Sequence, residues 1–360
     1  MHFLETWLLA SRWLSIEGCL KWPYLWPMDW QERLRRRLGA LAVDTFFRAS
    51  SYLGALHPRA QPLRHGVERL KNIRYAPGLG PAHCLDVYRP VRLPKGELLP
   101  SLLYIHGGGF RILSKDTHWM MGLAFAKEGH VVFVINYRLA PKHPYPAAVE
   151  DCALAYEWLT RNAQEWGGDP KRIIVAGESA GANLTMALAI AACFERPEPF
   201  AQRVWKTQIV PSAFLPACGI FQVSDPDRFA RRVPLPSRFV LDRIEEVSHA
   251  YLGHLSHPSM VGSEALTFAD PLIFFEKKPS PSRPLPPIMI TCGTRDVLLE
   301  DSQRLDRALK ALGAPVETVF YPGEPHAFHA FIFRDAAQKW WKDTFDFLAR
   351  VSRKVEDLRP

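Results

Sequence analysis

No two cysteines in this 360-residue chain stand at C-x-x-C spacing; the six lie scattered at positions 19, 84, 152, 193, 218 and 292. That scatter excludes a tight disulfide framework and a zinc-ribbon pattern, and buried thiols in a reducing, cytoplasmic setting are the expectation. The N-terminus lacks a basic stretch followed by an apolar core and a small-residue cleavage site, so secretion is not expected. Aromatic and basic residues do not interleave as they do in nucleic-acid modules, and no nucleic-acid partner is expected. One uncharged run, Thr207 to Ser224, is long enough to raise the question of a membrane span, but it holds Gln208, Pro211, Pro216, Gly219 and Gln222. A buried strand leading into an irregular excursion fits those residues better.

What is present is an ordinary globular composition, with 48% hydrophobic and 23% charged residues, enough for a large core. The length allows two domains or one decorated α/β domain. The net charge is +8, with Arg35-Arg36-Arg37 and Arg231-Arg232 among the clusters. A solvated face accounts for such clusters, and an anionic membrane surface or acidic partner is the sharper alternative.

Residues 1–60 read as helical. Phe3, Leu4, Trp7, Leu8 and Leu14 form one stripe, Trp13, Trp22, Trp26 and Trp30 add aromatic density, and a second helix covers Gln31 to Arg48. This segment is expected to cover a substrate pocket, with simple packing or lipid contact as alternatives. Short β runs follow at Val67–Tyr75 and Ala82–Tyr88, an antiparallel pair around Gly78, Gly80 and Pro81. Buried strands are then expected at Leu102–Ile105, Val131–Ile135, Ile173–Ala176, Gln208–Phe214, Ile288–Thr291 and Val316–Tyr321. Helices are expected between them at Thr117–Glu128, Pro146–Trp166, Ala182–Ala192 and Asp301–Leu312, with a last one at Arg334–Ser352. Residues 216–275 break this rhythm and read as an insertion, helical around Arg238–Leu252. Strands alternating with helices predict an α/β fold with a mostly parallel sheet covered on both faces, whose ligands bind beyond the strands' carboxyl ends.

Three features fall at those ends. Gly177-Glu178-Ser179-Ala180-Gly181 joins an apolar strand directly to a helix, a sharp turn that exposes a serine hydroxyl. His106-Gly107-Gly108-Gly109-Phe110 follows another strand, and its glycines let backbone N–H groups approach a developing negative charge. Asp296 and His326 stand in loops just past two later strands, in the order serine, aspartate, histidine. His329 rivals His326, and Glu300 and Asp301 rival Asp296, although both of the latter suit the first turn of the next helix.

Together with Tyr137-Arg138-Leu139-Ala140-Pro141, Pro144-Tyr145-Pro146-Ala147, Glu150-Asp151 and His326-Ala327-Phe328, these motifs resemble the hormone-sensitive-lipase-like esterases over roughly residues 65–350. The resemblance implies an α/β-hydrolase fold formed by residues 61–215 and 276–360, with a cap built from residues 1–60 and the 216–275 insertion. It implies a Ser179–His326–Asp296 triad and an oxyanion hole from the amides of Gly108, Gly109 and Ala180. The chain departs from the family pattern at Glu178 (usually Asp), Ala182 (often Gly) and Ala327 (usually Gly). Gly-Glu-Ser-Ala-Gly-Ala is the wording of the longer type-B carboxylesterases, which lack the Tyr-Arg-Leu-Ala-Pro element. The implied activity is hydrolysis of small-molecule esters with short to medium acyl chains, needing no metal or organic cofactor. An amidase or deacetylase would use the same triad. A purely ligand-binding protein, as in the gibberellin receptors that have lost the histidine, is the reading from another class.

Overall fold

The computed structural model describes residues 30–78, 80–93 and 96–357. The first apolar stripe, with Trp7, Trp13, Trp22 and Trp26, lies outside these residues. Helix α1 (Trp30–Leu56) precedes strands β1 (Val67–Arg74), β2 (Cys84–Pro90) and β3 (Leu99–Ile105). Then come α2 (Trp119–Lys127), β4 (Val131–Ile135), α3 (Ala147–Asn162), β5 (Gly168–Glu178), α4 (Ala180–Cys193) and α5 (Pro199–Lys206). The chain continues through β6 (Ala213–Ala217), α6 (Arg238–Leu252), α7 (Pro271–Glu276), β7 (Ile288–Gly293), α8 (Leu299–Ala311), β8 (Val316–Tyr321) and α9 (Asp335–Asp357).

The eight strands form one sheet in the order β1-β2-β4-β3-β5-β6-β7-β8. The β1–β2 and β2–β4 pairings are antiparallel and the rest parallel. Strand pleating sends alternate residues to opposite faces, and the two cores divide accordingly. Leu103, Ile105, Phe133 and Val175 join one core with α3 and α4, while Leu102, Tyr104, Val132 and Ile174 join the other with α2 and α9. All five residues of β4 are buried, as a strand covered on both faces requires. Helix α4 is buried along its whole length, which explains why its sequence is apolar all round with no polar face.

Most expected elements are present within a few residues of their expected ends, and the Arg238–Leu252 helix has the expected bounds. The strand expected at Gln208–Phe214 is corrected to Ala213–Ala217. Gln208 sits at φ 58° and Pro211 has no N–H to donate, so pairing with β5 begins only at Ala213. The uncharged run therefore supplies a short buried strand and an irregular excursion, and no helix among the described residues is long and apolar enough to cross a membrane.

The turn between β5 and α4 is held by two close approaches. A Cβ on Gly181 would stand 2.0 Å from the Ile105 carbonyl oxygen, and one on Gly177 would stand 2.5 Å from that of Gly181. Neither contact is with a flexible side-chain end, so neither site accommodates a methyl group without moving strand backbone. Gly181→Ala is therefore expected to destabilise the protein by about 3 kcal/mol or more, as strained core substitutions do. Urea unfolding of the variant checks this, and a loss below about 1 kcal/mol would show that the β3–α4 contact relaxes easily.

Candidate active site

Ser179 caps α4 at φ 54° and ψ −118°, a conformation that L-residues avoid and that surrounding structure must impose. Its amide donates to the Ala217 carbonyl at 2.9 Å, which ties the turn to the end of β6. Gly107 packs directly on this turn, since a Cβ there would stand 3.1 Å from the Glu178 carbonyl oxygen and 3.4 Å from the Ser179 Cβ. Gly108 has φ 110°, and a side chain on it would collide with the Ile112 carbonyl at 2.2 Å. The amides of Gly108, Gly109 and Ala180 donate to no other group among the described residues.

On the adjacent strands, the loops after β7 and β8 are bound to each other. The Arg295 amide donates to the Glu324 carbonyl at 3.0 Å, and the Gly323 amide donates to Thr294 Oγ1 at 2.8 Å. They bring His326 Nδ1 to 2.8 Å from Asp296 Oδ2, while Asp296 Oδ1 accepts from the Leu298 amide at 2.8 Å. Desolvation works against the His326 imidazolium, yet the Asp296 carboxylate, with Cys218 beside it, outweighs that and holds the pKa well above the ordinary value. Atoms of Cys218, Asp296 and His326 that can bind a cation lie within 4.8 Å of one another. A cation there would compete with the Asp296–His326 hydrogen bond.

The rivals are accounted for elsewhere. Asp301 is fully buried and accepts from the Phe221 and Gln222 amides and from Arg228 Nη2, so it anchors the start of the insertion and not an imidazole. Glu300 pairs with Arg232 at 2.9 Å. His329 Nε2 lies 2.7 Å from Glu178 Oε2, behind the serine.

That last contact belongs to a cluster which sequence reasoning missed. Glu178 is reached by His118 Nε2 at 2.5 Å, by His329 and by the Tyr104 hydroxyl at 3.0 Å, and it joins the β5 end to the segments around α2 and α9. Burial would raise the Glu178 pKa, but the two histidines outweigh it and hold the carboxyl well below its ordinary range. Burial would lower that of His118, but Glu178 and the Ser114 carbonyl raise it on balance. His106 is driven down to about 3 by burial and by His118, so it is neutral; its ring stacks on Tyr137 with centroids 4.3 Å apart. The only signal for the cluster in the sequence was the glutamate in place of aspartate at position 178.

The insertion lies over the glycine loop. Val247 of α6 sits where a Cβ on Gly109 would be, at 2.6 Å, Glu246 pairs with Arg111 at 2.5 Å, and Tyr251 stacks on Phe110 with centroids 3.7 Å apart. Helix α1 in turn docks on α6 through Arg35–Asp242 at 2.8 Å and Arg36–Glu245 at 2.5 Å. The Tyr-Arg-Leu-Ala-Pro element supports the same loop from below. The Tyr137 hydroxyl donates to the His106 carbonyl at 2.8 Å, the Ala140 amide to the Phe110 carbonyl at 2.9 Å, and Arg138 clamps buried Asp151.

The Glu178 cluster has a pH signature. Stability from the depressed Glu178 is present above its unfolded pKa and is lost as pH falls through the folded value. Stability from the raised His118 is present below its unfolded pKa and is lost as pH rises through the folded value. The melting temperature of the wild type should exceed that of Glu178→Gln most between about pH 4.5 and 6.5. A difference that stayed constant from acid to alkali would show that the cluster carries no net charge coupling.

A family profile described as alpha/beta hydrolase fold matches residues 102–330. Carboxylesterase NlhH of Mycobacterium tuberculosis is 32% identical over 236 residues, 65% of this chain and 67% of that protein. An acetyl-hydrolase of Streptomyces hygroscopicus is 30% identical over 283 residues, 77% of this chain and 83% of that one. Among solved structures, the esterase LipW of Mycobacterium marinum superposes with a TM-score of 0.66 at 22% identity, over 90% of this chain and 96% of its own. The Pyrobaculum calidifontis esterase gives 0.63 at 24% identity, over 89% and 98%, which agrees in fold. With its profile match spanning both the glycine loop and the His326 loop, the chain belongs to the alpha/beta hydrolase fold family, among the hormone-sensitive-lipase-like esterases.

Proposed function

We propose that this protein hydrolyses carboxylic esters of small molecules through an acyl-enzyme on Ser179. The observation that carries the reading is the Asp296–His326 hydrogen bond in the loops past β7 and β8, at the same edge of the sheet as the serine turn past β5, whose neighbouring amides donate to no other group among the described residues. Ser179 Oγ attacks the ester carbonyl as its proton passes to His326 Nε2, and Asp296 holds the imidazole by Nδ1 and stabilises the imidazolium. The carbonyl oxygen, now negative, takes hydrogen bonds from the Gly108, Gly109 and Ala180 amides, each worth about 2.7–4 kcal/mol in comparable sites. His326 then gives its proton to the leaving alcohol, and a water attacks the acyl-enzyme by the same route.

The insertion and the N-terminal helix together act as the cap. Val247 lies against the loop that would hold the oxyanion, and it gives the acyl side an apolar wall. This supports esters of short to medium acyl length, as does the similarity to an acetyl-hydrolase.

Ser179→Ala should keep the fold and lower kcat/KM on an aryl ester by at least about a thousandfold; more than a tenth of the activity retained would remove Ser179 from its role. The neutral imidazole is the base, so activity is lost as pH falls through the His326 pKa. Because that pKa is raised, the midpoint of kcat/KM against pH should lie above about 6.5. Asp296→Asn should cut the rate by about 10⁴ and move the midpoint down. A wild-type midpoint below the ordinary histidine value would contradict the coupling of His326 to Asp296.

A further inference from the structure

Helix α1 is mounted with its amphipathicity reversed. The side turned to the protein follows Arg36, Gly39, Ala40, Val43, Ser51 and Gly54, a small and polar set. Gly39 lies against Phe239 and Arg243 of α6, Gly54 against Trp119, and Ser51 Oγ donates to the Thr117 carbonyl at 3.1 Å. The outward side follows Trp30, Leu34, Leu38, Leu41, Tyr52 and Leu56 at three- and four-residue spacing, with exposed Thr45 and Ala49 completing the row. Those six large side chains are 48–68% exposed, and Phe46 and Leu53 widen the stripe at 56% and 66%. A 27-residue helix gives this stripe a length of about 40 Å. Soluble monomers rarely leave so extended an apolar face to water.

From this stripe and the charge beside it, we infer that the outward face of α1 is a docking surface for an anionic lipid bilayer. Residues 30–66 contain seven arginines against two acidic residues; Arg35 and Arg36 are paired with α6 and Arg48 with Asp44, and the segment still keeps a positive balance. Arg59 and Arg64, exposed just beyond the helix, extend this basic character. Apolar burial at the headgroup boundary combined with basic side chains is the means by which an interfacial helix binds anionic lipid. Trp30 and Tyr52, near the two ends of the stripe, are the residue types that settle at the membrane–water boundary. The inner side of α1 rests on α6, which itself rests on Gly109 and Arg111. A bilayer bound at α1 would therefore lie one helix away from the glycine loop.

The test uses the full chain and vesicles of phosphatidylcholine with or without phosphatidylglycerol. Wild-type protein should sediment with the anionic vesicles, less with phosphatidylcholine alone, and less in high salt. Leu38→Glu/Leu41→Glu should weaken sedimentation at least about tenfold. Both positions are exposed on the side of α1 turned away from α6, so the melting temperature should be unchanged. Binding is read without the ester reaction, so its failure is separate from failure of the proposed chemistry. Three results would each overturn the inference: wild type that ignores both vesicle types, a double variant that sediments like wild type, or light scattering that shows a dimer only the double variant dissolves. The last would make the stripe an interface between two copies.

Discussion

The φ of Ser179 is the constraint on which the rest depends. An L-residue stays at φ 54° only if the chain on either side cannot relax, and here it is confined by the Ile105 carbonyl packed on Gly181 and the Ala217 carbonyl held by the Ser179 amide. Both restraints come from neighbouring strands, so the register of β3, β5 and β6 is part of the serine's geometry. The same register places the glycine loop beyond β3 and the Asp296 and His326 loops beyond β7 and β8, along one edge of the sheet. Sheet pairing, set by apolar side chains far from the edge, therefore fixes the spacing of groups that are themselves polar and partly open to solvent.

Buried carboxylates do the local work of holding the loops. Asp86 accepts from Arg69, Lys115 and the Asn72 amide, joining β1 and β2 to the segment after the glycine loop. Asp151 accepts from Arg138 and His83, Glu178 from His118, His329 and Tyr104, and Asp301 from Arg228 and two backbone amides. Each carboxylate lies on a regular element or at its end, and each reaches loops distant in sequence. Buried charge is tolerated because the acceptor atoms are filled, and removing one partner would leave the others uncompensated.

Strand and helix order, the serine turn and the Asp296–His326 pair were legible because each leaves a local mark: an apolar run, a glycine pair or a loop just past a strand end. The Tyr-Arg-Leu-Ala-Pro element was visible only as a resemblance, since its work is to present carbonyl and amide partners to a loop some thirty residues away. Ala327 was visible as a departure from glycine, and its φ of 53° gives the reason: the site favours glycine, and alanine adopts it with some strain. The Glu178 cluster was not legible. A glutamate, two histidines and a tyrosine spread from position 104 to 329 have no shared spacing, and only the sheet and the two helices bring them together. The outward stripe on α1 was hidden for the opposite reason. Apolar periodicity reports that a helix has two faces, but not which of them meets the protein.

The buried position of Asp301 bears on how functional maps of this fold are drawn. It is an acid near the strand edge, a few residues after Asp296, and it holds the first turn of the chain segment that lies over the site. Under the proposed mechanism, a survey that scored every substitution by surviving activity would rank Asp301 alongside Asp296, because losing the anchor would displace the roof and losing the partner would disable the base. The two losses differ in kind, since one lowers the fraction of molecules that are correctly assembled and the other lowers the rate of each assembled molecule. Titrating intact sites with a covalent serine reagent before measuring rates would separate the two, and without that step the structural anchor Asp301 is readily mistaken for a member of the proposed triad.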